Sequence, residues 1–266
     1  MAAPESTTLP DGRTLAYETY GADGGAPLVF HHGTPGSRVL GALLDDAARD
    51  RGVRVVAPSR PGYGASDPHP DGTLTTWADD CAALADALGL RTFAVVGFSG
   101  GGPHALRVAE RHPDRVTGVG VVAGPVPESD DGPFAGLAGF PRVLGAFFRV
   151  GEWASRYRGD GFVVRQLTDE AVAEETARVV AEDFRTALEP GASGAVRETR
   201  LLAADWSLPE PDVGVHAWHG TGDGNVAPGP VRAAYDGRPS VSTVEVESDH
   251  LGTLLAARED AVALAV

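Results

Sequence analysis

Lysine and isoleucine are absent from the 266 residues of this chain, and cysteine occurs once, as Cys81. A single cysteine excludes an internal disulfide and gives no sign of an oxidising compartment. All 22 basic residues are therefore arginines, and 37 acidic residues bring the net charge to −15. Proteins that bind nucleic acid carry basic patches, so this balance predicts no nucleic-acid partner. A GC-rich genome and a salt-adapted host both favour such a composition, and the sequence leaves the two open.

Long apolar runs are missing as well. The opening residues, MAAPESTTLPDG, have neither the basic start nor the apolar stretch of a signal peptide. No segment approaches the ~18 consecutive apolar residues that a membrane span requires. These absences predict a cytoplasmic protein with no membrane partner.

Short β-branched runs alternate with helix-like segments along most of the chain. They are PLVFHH (27–32), VRVVAP (53–58), TFAVVG (92–97), VTGVGVVAG (116–124), VGVHAWHG (213–220) and VSTVEVE (241–247). Such alternation is typical of a mostly parallel central sheet with helices on both faces. A turn signal, Pro10-Asp11-Gly12-Arg13, adds an antiparallel hairpin at the start. The predicted fold class is therefore α/β.

The predicted helices are of two kinds: a single helix between two strands, and several helices in a row with no strand between them. The isolated helix is predicted over 75–88, because Trp77, Cys81 and Leu84 share one face and Thr75 or Thr76 can cap its start. The group lies in a stretch of roughly 80 residues without a strand-like run, where apolar residues recur at helical spacing. We therefore predict a helical cap insertion over 126–207, which divides the α/β core into 1–125 and 208–266.

A serine stands among glycines in GFSGG (97–101), where a predicted strand meets a predicted helix. This strand–turn–helix context is the one that a Gly-x-Ser-x-Gly nucleophile requires. Glycines at 97 and 101 permit a tight turn that presents the hydroxyl of Ser99 beside the N-terminus of the helix. The segment has neither the spacing nor the lysine of a phosphate-binding loop. We interpret Ser99 as a nucleophile.

A serine nucleophile needs a base, and the base needs a carboxylate to orient it. Asp223 and His250 each follow a predicted strand, so they lie with Ser99 at the edge of the sheet where ligands bind. The chain order is then Ser99, Asp223, His250. Asp249 and Glu128 are the alternative positions for the acid.

These segments resemble the α/β-hydrolase family, and the likeness extends over nearly the whole chain. It rests on HHGTPGS (31–37), SRPGYGAS (59–66), GFSGG, HGTGDGNV (219–226) and SDHLGTLL (248–255). The resemblance implies Ser99 as nucleophile, His250 as base and Asp223 as acid, with oxyanion-hole donors at the N–H groups of Thr34 and Gly100. The family's oxyanion loop is often His-Gly-Gly-Pro-Gly or His-Gly-aromatic, whereas this chain has His-Gly-Thr-Pro-Gly.

The predicted function is that of a serine hydrolase. It cleaves an ester, thioester, lactone or amide of a small molecule through an acyl-enzyme, with no metal and no organic cofactor. The same triad also serves aminopeptidases, C–C bond hydrolases, lyases and cofactor-free perhydrolases, and a non-catalytic ligand receptor is a further alternative. The sequence leaves the substrate and the oligomeric state open.

Overall fold

One eight-stranded sheet forms the centre of the computed structural model, which describes residues 4–127 and 135–266. The strands are β1 (Glu5–Thr8), β2 (Thr14–Gly21), β3 (Ala26–His31), β4 (Val53–Pro58), β5 (Phe93–Phe98), β6 (Val116–Val122), β7 (Val215–Gly220) and β8 (Val241–Val246). Their order across the sheet is β1-β2-β4-β3-β5-β6-β7-β8. The opening hairpin pairs antiparallel with itself and with β4, and every other pair is parallel. The predicted mostly parallel sheet with an antiparallel hairpin is confirmed.

Helices cover both faces of this sheet. They are α1 (Asp45–Asp50), α2 (Leu74–Ala87), α3 (Gly101–Arg111), α4 (Pro141–Arg158), α5 (Gly161–Val164), α6 (Glu174–Leu188), α7 (Ser193–Leu202), α8 (Pro228–Tyr235) and α9 (His250–Ala263). One apolar cluster joins the sheet to α2, α3 and α8, and a second joins its other face to α1 and α9. Among the described residues, no helix is both long enough and apolar enough to cross a membrane.

The N-terminus of α2 differs from the prediction by the residue that caps it. Thr73, rather than Thr75 or Thr76, is the N-cap, and its Oγ1 accepts a hydrogen bond from the backbone N–H of Thr76 at 3.1 Å. In return, Thr76 Oγ1 accepts one from the N–H of Thr73 at 2.8 Å. This reciprocal pair satisfies two N–H groups at the helix start, which explains why the helix begins earlier than predicted.

Between β6 and β7, residues 135–214 contain helices and connecting segments but no strand. Val163 of α5 and Val180 of α6 pack into the apolar cluster on the α1 and α9 side of the sheet. Leu144 and Phe148 of α4 form a smaller cluster with Tyr63 of the core. The helices therefore rest on the core through apolar contacts at two places, while the domain boundaries at 126 and 207 stay a prediction.

Candidate active site

Ser99 lies in a sharp turn between β5 and α3. Its backbone φ is +51°, a left-handed conformation that residues other than glycine adopt rarely and at a cost. Two backbone hydrogen bonds of 2.8 Å hold the turn: the N–H of Ser99 donates to the carbonyl of Val122, and the N–H of Gly102 donates to that of Ser99. The side chain therefore leaves the end of a buried central strand in a fixed direction.

The glycines on either side of Ser99 are required by close backbone contacts. A Cβ on Gly97 would lie 2.2 Å from the carbonyl oxygen of Gly101. A Cβ on Gly101 would lie 2.2 Å from the carbonyl oxygen of His31 on the neighbouring strand. Both distances are far below a van der Waals contact, so any side chain at either position would displace the turn.

Asp223 and His250 are brought into direct contact although 27 residues separate them. The aspartate follows β7, and the histidine is the first residue of α9, just beyond β8. His250 Nδ1 lies 2.7 Å from Asp223 Oδ2, and both side chains are buried. Since the carboxylate only accepts, the imidazole carries its proton on Nδ1, and its Nε2 is left to act as a base.

The carboxylate of Asp223 is held as an anion by its surroundings. Burial alone would raise its pKa, but the hydrogen bond and charge of His250 and two backbone donors outweigh burial, so the pKa lies below its usual value. The donors are the N–H groups of Asn225 and Val226, at 2.8 and 2.9 Å from Oδ1. One oxygen thus anchors the loop while the other orients the imidazole.

The two alternative acids lie in different situations. Asp249 Oδ1 accepts from the N–H of Gly252, which caps the start of α9, and its Oδ2 accepts from Thr168 Oγ1 at 2.7 Å and from the N–H of Asp169 at 2.8 Å. Both carboxylate oxygens of Asp249 therefore accept hydrogen bonds from groups other than the imidazole of His250. Glu128 lies outside the described residues.

Thr34 and Gly100 face each other beside Ser99. A Cβ on Gly100 would lie 2.2 Å from Thr34 Oγ1, so the two residues are in contact and position 100 has no room for a side chain. Gly100 directly precedes α3, where backbone N–H groups have no partner within the helix. Such N–H groups stabilise a negative charge that develops close to the helix N-terminus.

A fully buried ion pair holds the loop that contains Thr34. The guanidinium of Arg60 donates from Nε and from Nη2 to the two carboxylate oxygens of Glu198, each at 2.7 Å. It also donates to the carbonyl oxygens of His32 and Gly33, at 2.6 and 2.9 Å. Thr34 Oγ1 donates to Glu198 Oε2 at 2.7 Å. Arg60 and Glu198 together therefore fix three consecutive residues of the loop.

Electrostatics explain why this pair persists in the interior. Burial by itself would raise the pKa of Glu198, but the charge and hydrogen bonds of Arg60 hold it well below its usual value. Tyr63 O–H adds a hydrogen bond of 2.9 Å to the same carboxylate. His32 is neutral because burial lowers its pKa, and its Nδ1–H donates to the carbonyl of Gly33 at 2.7 Å.

A second buried carboxylate, Asp183 of α6, contacts the same loop further along. Its Oδ1 accepts from the N–H and the hydroxyl of Ser37, at 2.7 and 2.8 Å, and from the N–H of Leu40 at 3.2 Å. Burial raises its pKa to about 7. Neither Asp183 nor Glu198 was predicted from the sequence, although each stands on an otherwise apolar helix face, and that position was the signal available.

A cavity of about 1100 Å³ lies between the helices that follow β6 and the carboxyl edge of the sheet. Four of the predicted site residues line it, namely Thr34, Ser99, Gly100 and His250. Asp223 lies behind His250 and outside the wall. The side chains of Ser99 and His250 face this common space, but no hydrogen bond joins them in the part of the chain that the structure describes. Such bonds are often long before substrate binds.

Comparison with known proteins points to one family. A family model described as alpha/beta hydrolase fold matches residues 26–173. A non-heme chloroperoxidase of Streptomyces lividans is 37% identical over 139 residues, which is 48% of this chain and 48% of that protein. A probable proline iminopeptidase of Streptomyces coelicolor is 31% identical over 244 residues, or 81% of this chain and 71% of that protein.

The solved structures give the same picture over the full length. An alpha/beta hydrolase fold protein from Nakamurella multipartita superposes with a TM-score of 0.75 at 26% identity, covering 98% of each chain. An esterase from Exiguobacterium antarcticum superposes equally well, with a TM-score of 0.75 at 19% identity over 98% of this chain and 97% of that one, which shows a shared fold. For the first curated relatives that it matches, the chain spans about half of their length or less.

Proposed function

Because the chain belongs to the alpha/beta hydrolase fold family, we propose that it is a serine hydrolase acting on a carboxylic ester, thioester, lactone or amide of a small molecule. The predicted family, and an enzyme of that class, are confirmed. One observation carries the finer proposal: a buried Asp223–His250 hydrogen bond of 2.7 Å beside a strained serine, at the wall of one cavity.

The reaction begins with attack of Ser99 Oγ on the carbonyl carbon of the substrate. The hydroxyl proton passes to His250 Nε2, and the imidazolium is stabilised by the Asp223 carboxylate on its other nitrogen. The carbonyl oxygen becomes an oxyanion, which accepts hydrogen bonds from the N–H groups of Thr34 and Gly100. Each preorganised donor contributes about 3 to 4 kcal/mol to the stability of the transition state.

Collapse of this intermediate breaks the bond to the leaving group. His250 returns the proton to the departing oxygen, sulfur or nitrogen, which leaves an acyl group on Ser99. A water molecule then attacks the acyl carbon while His250 accepts one of its protons, and the acid is released with the serine restored.

The helices within 126–207 form the cap of this site in our proposal, and they set the choice of substrate. Phe147, Phe148 and Phe184 contribute apolar surface to the cavity wall. An acyl chain that fills this space replaces water against aromatic rings, which stabilises the complex by roughly 0.8 kcal/mol per buried methylene.

A labelling experiment tests the nucleophile. A fluorophosphonate should modify the protein once, at Ser99, and Ser99→Ala should abolish both labelling and p-nitrophenyl ester hydrolysis. Because the hydroxyl faces a cavity, its loss should shift the midpoint of thermal unfolding, Tm, by less than about 2 °C. The matched control is Ser240→Ala at an exposed position, which should retain full activity. Residual hydrolysis within about tenfold of wild type in the Ser99 variant would sink the assignment.

Aminopeptidase activity is the second candidate, and Asp183 is the observation that favours it. Its Oδ1 accepts three hydrogen bonds, whereas its Oδ2 has no hydrogen bond among the described residues, and the side chain lines the cavity. An ammonium group at the N-terminus of a peptide would compensate this carboxylate. Of the two curated relatives described above, the one that covers the larger part of this chain is named a probable proline iminopeptidase.

Substrates that differ only in the amine separate the two candidates. An aminopeptidase should cleave aminoacyl p-nitroanilides but not their N-acetyl forms. Asp183→Asn should then reduce kcat/KM for the free amine at least tenfold more than for a neutral p-nitrophenyl ester. Equal rates on free and acetylated forms would leave the esterase as the sole candidate.

A further inference from the structure

Helix α4 and the residue before it carry an exposed apolar strip, here called the α4 stripe. Its members are 55 to 73% exposed, and they are Phe140, Val143, Val150, Trp153 and Tyr157. Spacings of three, four and seven residues place them along one side of the helix. The rings of Trp153 and Tyr157 also contact each other, with centroids 5.0 Å apart. A contiguous apolar strip of this kind marks an interaction surface.

A line of arginines runs beside the α4 stripe. Arg142, Arg149 and Arg156 are exposed and recur every seven residues, which keeps them on one side of the helix. Arg156 pairs with Glu152, while Arg142 and Arg149 form no ion pair with any described residue. The helix contains four arginines and one acidic residue, in a chain whose net charge is −15. The helix is therefore positively charged, whereas the chain as a whole is negatively charged.

The opposite side of α4 faces the candidate active site. Leu144 and Phe148 are fully buried in the cluster with Tyr63, and Phe148 and Gly151 line the cavity. The helix is consequently anchored by one face and presents the other face outwards, next to the space where substrate binds.

We propose that α4 binds an anionic lipid surface, with the α4 stripe in the interface and the arginines on the headgroups. A helix with an apolar aromatic face and a basic polar face lies in the plane of such a surface. Tyr and Trp side chains favour this interface, and each arginine near it adds about 1 kcal/mol. The remaining acidic surface is repelled by anionic lipid, so α4 is the face that approaches.

A second copy of the chain fits this surface less well. In a symmetric pair of antiparallel helices the same patch meets itself, and the arginine line of one helix would lie beside that of the other. The sequence predicted no membrane partner because a spanning segment is missing. An interfacial helix needs no such segment, so the proposal departs from that expectation.

Vesicle sedimentation with the full chain tests the proposal. Wild type should sediment with vesicles of phosphatidylcholine and phosphatidylglycerol in equal parts, much less with phosphatidylcholine alone, and less at high salt. Arg142→Gln with Arg149→Gln should weaken binding about thirtyfold, which corresponds to about 1 kcal/mol per arginine. Val150→Ser with Trp153→Ser should also weaken it, whereas Val244→Ser, at an exposed position on β8, should not.

The matched charge control is Arg91→Gln with Arg258→Gln, two exposed arginines that form no ion pair with described residues. This pair should bind within about twofold of wild type. Each variant is compared by its thermal unfolding, which keeps misfolding distinct from lost binding. Three outcomes would overturn the proposal: no sedimentation of wild type with anionic vesicles, equal loss in the arginine control, or light scattering that shows a dimer which the Val150 and Trp153 changes dissociate.

Discussion

The two carboxylate oxygens of Asp223 accept hydrogen bonds from different partners. One accepts the hydrogen bond of His250, and the other accepts two backbone N–H groups of its own loop. In the proposed triad the acid is Asp223 rather than Asp249, whose oxygens accept from Gly252, Thr168 and Asp169. Only a carboxylate in contact with the imidazole can select its tautomer and stabilise its charged form.

We therefore expect Asp223→Asn to reduce kcat by roughly 10³ to 10⁴ with little change in KM, because the loss appears in the transition state. Steady-state hydrolysis of a p-nitrophenyl ester measures both constants. Glu128→Gln and Asp249→Asn make the same change of charge at the alternative positions, and both should stay within about tenfold of wild type. The reverse pattern would move the acid to whichever residue shows the larger loss.

Asp183 should make the stability of the fold depend on pH. Burial raises its pKa from 3.8 to about 7, so the folded chain holds a proton that the unfolded chain releases between these values. The stability that this proton contributes is present below about pH 4 and is lost as pH rises through about 7.

Asp183→Asn removes this dependence while it keeps an oxygen for Ser37 and Leu40. Between pH 5 and pH 8 the free energy of unfolding of the variant should improve relative to wild type by about 3 kcal/mol. Denaturant titrations at the two pH values measure the difference. A constant gap between the two proteins would mean that the pKa of Asp183 in the folded chain lies below about 5.

At the scale of the element, α7 contacts the loop that contains Thr34 through Glu198. Removing one partner of a buried pair leaves the other charge uncompensated, which costs about 3 to 5 kcal/mol. Glu198→Gln should therefore lower Tm. It should also lower kcat at least tenfold with KM nearly constant, because the carbonyls that Arg60 holds set the position of the N–H of Thr34, the proposed oxyanion donor.

The matched control is Glu174→Gln at an exposed position near the start of α6, where neither Tm nor kcat should change appreciably. A variant at Glu198 that unfolds at lower temperature but retains the wild-type kcat at about 20 to 25 °C would contradict the positioning role. The ion pair would then serve stability alone.

Elements differ in how far the sequence could predict them. Most buried strands were located to within one or two residues, because short β-branched runs such as VRVVAP at 53–58 are typical of buried strands. The cap of α2 was misplaced since three threonines are adjacent or nearly so and only the hydrogen bonds distinguish Thr73. The turn at GFSGG and the predicted strands before Asp223 and His250 together indicated that Ser99, Asp223 and His250 meet at one edge of the sheet.

The buried ion pair of Arg60 and Glu198, which contacts the loop of Thr34, could not be predicted in the same way. Glu198 lies 138 residues from Arg60, and no local pattern relates a helix between β6 and β7 to a loop after β4. A carboxylate on an apolar helix face indicates that a buried partner exists, but it does not say which one. The distances that join α6 and α7 to residues 32–40 come from tertiary packing alone.

The whole molecule carries a net charge of −15, and self-repulsion of that size opposes folding. Surface ion pairs such as Arg49–Asp45 contribute little each. We expect Tm to rise by several degrees as NaCl increases from about 20 mM to about 500 mM, because the screening length falls from about 20 Å to about 4 Å. Scanning calorimetry in chloride salts measures the shift.

Choline chloride at the same concentrations controls for binding of a specific cation, and it should give a similar rise. A decrease in Tm would mean that attractive pairs outweigh the excess of like charge. A rise in NaCl alone would indicate a sodium site rather than general screening.

The order of strands in the sheet has a consequence for synthesis on the ribosome. Residues 4–127 already contain six neighbouring strands and the complete turn at Ser99. A nascent chain of that length can therefore begin to assemble most of the sheet with its serine in place, since N-terminal regions emerge and fold first. His250 is the first residue of α9, so in the proposed mechanism Ser99 has no base until that helix has been synthesised. Under the proposed function, catalytic turnover would therefore report that the chain has folded as far as α9.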